Sequence, residues 1–182
     1  MNSREGLFSF SRYIIIVLLG LFNLFVFYFI FTPLTIYPVY WILNVFFNAS
    51  IIPSSKTIIL DGVSIYLIGA CIAGAAYYLL TILNLSTPMP IKKRMQSIIF
   101  LFITFLILNI LRIVVFSVLY LSGYSSFNLA HEITWYFGST ILLVIVWFLS
   151  IYIFKIKAIP IYTDVKNIIK DFYYSKKSKR KL

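Results

Sequence analysis

Residues 97–120 read SIIFLFITFLILNILRIVVFSVLY, and the only charge in the run is Arg112. A helix needs about 20 mostly apolar residues to cross a bilayer, and this run supplies them. Read this way, the run is a spanning helix and the chain is a membrane protein.

Composition agrees. The chain has 182 residues, of which 62% are hydrophobic and 12% charged, with a mean hydropathy of +0.97. A soluble domain carries about 25% charged residues. The net charge of +11 does not point to nucleic acid, because its bases flank the apolar runs. They cluster at Lys92-Lys93-Arg94, at Lys155 and Lys157, and from Lys176 to Lys181. Lys and Arg in short loops mark the cytoplasmic side, and a basic tail can also touch anionic lipid headgroups. One cysteine excludes an intrachain disulfide framework.

Four spans are expected outward from this run: about 13–32, 69–85, 97–120 and 129–154. The first follows Arg4 and Arg12 and ends at Pro33. It is too long for a signal-peptide core and lacks a small-residue cleavage site, so it reads as a retained anchor. Residues 34–52 are apolar and aromatic but carry Pro38, Asn44 and Asn48. If they added a crossing, Lys92-Lys93-Arg94 would face outward, against the positive-inside rule. They are therefore expected to form an outer interfacial helix. In 57–67, Asp61-Gly62 separates two β-branched runs, the signal of a two-residue hairpin with positive φ at both turn positions. The expected fold class is an all-α polytopic membrane protein: about four transmembrane helices, an outer interfacial helix and a small outer β-hairpin. The transmembrane domain would cover 1–158 and a basic cytoplasmic tail 159–182.

The residues that carry chemistry all fall toward the outer side of this topology. A guanidinium inside a span costs about 2.5–3.5 kcal/mol on insertion scales, so intramembrane charges are functional by default. The bland alternative for Arg112 is a structural arginine bonded to backbone carbonyls. Asn109, one turn earlier, shares its helix face and is a candidate substrate-binding residue. Cys71 alone would read as a small buried hydrophobe. At a helix start, however, the free N–H groups and the macrodipole favour an anion, and a nearby arginine adds to this. The small residues Gly69, Ala70, Ala73 and Gly74 leave space around it. His131 is the only histidine and sits at the start of the last span. A neutral imidazole there could take a thiol proton and return it to a leaving amine. One Cys and one His are too few for a structural zinc site, and no phosphate-binding glycine loop is present. No metal and no cofactor are expected.

Cys71 at a helix start after an outer hairpin, Asn109-x-x-Arg112 in the next span and His131 in the following one resemble the exosortase/archaeosortase family. The resemblance covers about residues 57–147, and Asn109-Ile110-Leu111-Arg112-Ile113 is its most specific stretch. It departs from the family pattern in the run Cys71-Ile72-Ala73-Gly74 and in the short Arg112-to-His131 spacing. The resemblance implies a membrane-embedded cysteine transpeptidase or protease with Cys71 as nucleophile, Arg112 as thiolate or oxyanion partner and His131 as acid/base. It implies exported protein substrates that end in a hydrophobic helix and a basic segment, processed through a Cys thioester. Membrane lipid is a further partner; nucleic acid is not. The termini would be cytoplasmic and the site near the outer face of the cell membrane. The alternative is a non-enzymatic transporter or assembly subunit whose Arg112 binds an anionic group.

Overall fold

The computed structural model describes residues 24–156, together with Ser11, Ile14, Ile15, Val17, Leu18 and Gly20. Arg4, Arg12, Lys157 and the basic tail lie outside the described residues, as does part of the expected first span. The elements in order are α1 (Phe25–Phe46), β1 (Ala49–Ile52), a 3₁₀ turn (Pro53–Ser55), β2 (Thr57–Leu60), β3 (Val63–Tyr66), α2 (Gly69–Ile72) and α3 (Gly74–Ser86). Then follow α4 (Ile91–Leu121), α5 (Phe127–Ile133), a π-helical turn (Thr134–Gly138) and α6 (Ser139–Phe154). Among the described residues, four stretches are long and apolar enough to cross a membrane: Phe25–Phe46, Gly69–Ser86, Ile91–Leu121 and Phe127–Phe154.

Three of the four expected spans recur with shifted ends. The first does not. The expected break at Pro33 and the expected interfacial helix over 34–52 are both replaced by α1, which contains Pro33 and Pro38 in its interior. An interior proline costs about 3 kcal/mol. Here it is tolerated because one buried face (Phe27, Phe31, Thr35, Ile36, Val39 and Leu43) continues past both prolines. The interruption falls instead at Leu24, whose φ is 59°. Residues 49–52 of the expected interfacial helix form a strand.

The expected hairpin is present. β2 and β3 pair antiparallel from Thr57↔Tyr66 to Leu60↔Val63, and Asp61 and Gly62 have φ of 47° and 86°. β1 adds a third strand on the other side of β2, giving the order β1-β2-β3.

α3 and α6 both run antiparallel to α4. At one end, Arg94 donates to the carbonyls of Asn84 (2.9 Å), Leu85 (3.0 Å) and Thr87 (3.0 Å). These are the carbonyls a helix C-terminus leaves without partners. Beside them Asn84 Nδ2 donates to Ser97 Oγ at 3.0 Å, and Ser97 and Ser150 share a 2.8 Å hydroxyl–hydroxyl bond. Lys93 Nζ reaches the Phe154 carbonyl at 3.4 Å. Mid-bundle, Tyr77 stacks on Phe31 with centroids 3.5 Å apart, and Phe105 meets it edge-on at 5.1 Å. The sheet, Cys71 and Arg112 lie at the end opposite Lys93 and Arg94.

Candidate active site

Cys71 does not begin a long helix, as expected for 69–85. α2 is a four-residue turn that ends at Ala73, whose φ is 59°, and α3 restarts at Gly74. The N-terminal dipole therefore contributes little at Cys71, since the effect grows from aligned turns. The glycines do serve close approach. A Cβ on Gly74 would lie 2.8 Å from the Tyr28 ring of α1.

What fixes the Cys71 turn is Asn109. Its Nδ2 donates to the Cys71 carbonyl at 2.8 Å, and the residue is 0% exposed. Its Oδ1 is buried without a partner among the described residues. Asn109 therefore sits behind the cysteine, and it is not among the residues that line the cavity described next.

Cys71, Arg112 and His131, from α2, α4 and α5, line one cavity of about 310 Å³. That volume is at the lower end of ligand sites. The Cys71 thiol is half-buried. Arg112 is the charged side chain that lines the cavity with it, and the Cys71 N–H donates to the Ile68 carbonyl at 2.9 Å. Arg112 Nη1 donates to Ser139 Oγ, which leaves other N–H groups of the five-donor fork for the cavity. His131 is exposed. Its ring stacks on Phe127 and meets Phe116 edge-on, with centroids 5.5 Å away in both cases. Among the described residues no hydrogen bond joins the thiol, the guanidinium and the imidazole directly. The three share a chamber but are not a bonded triad.

Ser139 was not legible in the sequence. Eight residues along an α-helix end about 80° off the starting face, so Ser139 and His131 would look divergent. The π-helical turn between them spreads its hydrogen bonds over i→i+5 and takes up part of that offset. This lets Ser139 meet Arg112 while His131 and Thr134 line the cavity. Gly138 is confined there: an added Cβ would be 2.9 Å from Thr134 Cγ2. The other missed wall is the segment from Ser64 to Ile68, part of which was expected only as a hairpin strand. No protein-family model, no curated protein and no solved structure matches this chain.

Proposed function

We propose that this chain is a multi-pass membrane cysteine transpeptidase or protease of the exosortase/archaeosortase kind. Its substrates are exported proteins that end in a hydrophobic helix and a basic segment. The observation that carries the reading is that the only cysteine, the only histidine and an arginine in mid-helix line one cavity. Orientation follows from charge: Lys92, Lys93, Arg94 and Lys155 lie at the end opposite Cys71, and the positive-inside rule assigns that end to the cytoplasm. The cavity then opens near the outer face.

In this mechanism His131 takes the Cys71 proton, and the sulfur attacks the carbonyl carbon of a substrate peptide bond. An S–C bond forms, and negative charge on the carbonyl oxygen faces Arg112. Collapse breaks the C–N bond, the leaving amine takes the proton from His131, and a thioester remains. An amine or water then attacks that carbonyl, breaks the S–C bond and restores Cys71. Asn109 takes no part in bond making; it holds the Cys71 turn.

The test is the mass of exported proteins of that tail type in cells carrying Cys71→Ala. Retained tails are expected. Tails removed as in the wild type would overturn the enzyme reading. The Arg112–Ser139 bond favours a second reading, a transporter or assembly subunit in which Arg112 ties α4 to α6 or meets an anionic group. Such a protein would keep its function in Cys71→Ala.

A further inference from the structure

β3 is an outer strand of the sheet, and the phase of its hydrogen bonds is fixed. Leu67 N–H donates to the Lys56 carbonyl at 3.0 Å, which makes Lys56 and Leu67 a bonded pair. Antiparallel partners alternate between bonded and non-bonded pairs. Thr57↔Tyr66 and Ile59↔Ser64 are therefore non-bonded, and their N–H and C=O groups turn away from each other. Ser64 and Tyr66 thus point both main-chain polar groups out of the sheet. Among the described residues nothing pairs with them.

That edge borders the Cys71 cavity. Five consecutive residues, Ser64 to Ile68, line it. A strand that turned one face toward a cavity would line it with alternate residues. Ser64, Ile65 and Tyr66 belong to β3, and a consecutive run within a strand is what a wall formed by its backbone edge gives. Phe116 and Phe127 form an apolar part of the lining.

We propose that the free edge of β3 receives an extended peptide as a fourth strand and leads it past Cys71. This rests on the reading of Cys71 as nucleophile and adds the form in which substrate is recognised: by its main chain. The open groups are a donor and an acceptor at Ser64 and again at Tyr66, about 6.6–6.8 Å apart along the strand. An extended backbone presents the complementary acceptor and donor at that repeat, as in strand addition. An acyl chain has neither group, and a helix has already used its own. The segment bound here is therefore the non-helical stretch that precedes a substrate's hydrophobic helix.

The test uses the full chain in lipid nanodiscs and two chloromethyl ketones of the tripeptide acetyl-Val-Thr-Val. One has ordinary amides and the other has every backbone nitrogen methylated. In each, the Cys71 sulfur displaces chloride, so an S–C bond forms and the C–Cl bond breaks. Chloroacetamide, which has no strand to add, reports the intrinsic reactivity of the thiol. The ordinary peptide is expected to label Cys71 about tenfold faster than the methylated one, the effect of one or two net hydrogen bonds. In Tyr66→Pro, which removes an N–H that β2 does not use, the ratio of the two rates should fall to near one. Equal rates for both peptides in the wild-type protein, with normal chloroacetamide labelling, would overturn strand addition alone. Failure of chloroacetamide to label Cys71 would remove the nucleophile reading and this proposal with it.

Discussion

Arg112 faces two demands on one guanidinium: the Ser139 hydroxyl that receives its Nη1 hydrogen and the cavity that it lines with Cys71. If it serves the sulfur, Arg112→Gln should slow alkylation of Cys71 by iodoacetamide about tenfold, equivalent to losing 1.36 kcal/mol of charge stabilisation. Ser139→Ala, which removes the tether and keeps the charge, should change that rate much less. Equal effects from the two variants would mean that Arg112 acts only as a strut. Asn109 is a different case. Asn109→Ala leaves the Cys71 carbonyl without its donor, and a lost partner of this kind costs about 1–3 kcal/mol. A lower thermal unfolding midpoint in detergent checks this. Cys71, Arg112 and His131 were legible in the sequence because each is chemically rare within an apolar run. The role of Asn109 was not, since helix-face arithmetic shows what shares a face and not what that face meets. Ser139 was hidden by a change of helical pitch that no residue in Thr134–Gly138 announces.

Among the elements, the hairpin was the most legible, because Asp61-Gly62 supplies the positive φ that its turn requires. α1 was the least legible. Pro33 and Pro38 are strong local stop signals, and only the unbroken buried face explains why the helix ignores them. The break that does occur, at Leu24, carries no glycine or proline to mark it. The small residues around Cys71 were expected to leave space around it. What they admit is Tyr28 of α1, whose ring covers Gly74. Gly74→Ala should therefore destabilise the protein by about 1–3 kcal/mol, the usual range for overpacking. Tyr28→Ala should largely rescue it. Absence of rescue in a double-mutant cycle of unfolding midpoints would contradict that contact.

At the scale of the whole molecule, polar chemistry is sorted to opposite ends of the bundle. One end holds Arg94 over the carbonyls of Asn84, Leu85 and Thr87, with Lys93 against Phe154. The other holds the sheet and the cavity. Among the described residues four helices are long and apolar enough to cross a membrane, the number expected, although α1 is not where the first was placed; the sidedness argument rests on Lys92, Lys93 and Arg94. The proposed orientation puts a reactive thiol within reach of the exterior, and Cys71 is the only cysteine in the chain, so labelling reports it alone. The decisive measurement is reaction of intact cells with a membrane-impermeant maleimide, followed by the mass of the purified chain. Labelling without permeabilisation is expected. Labelling only after the membrane is opened, or none even in detergent, would contradict an outward-facing catalytic cysteine.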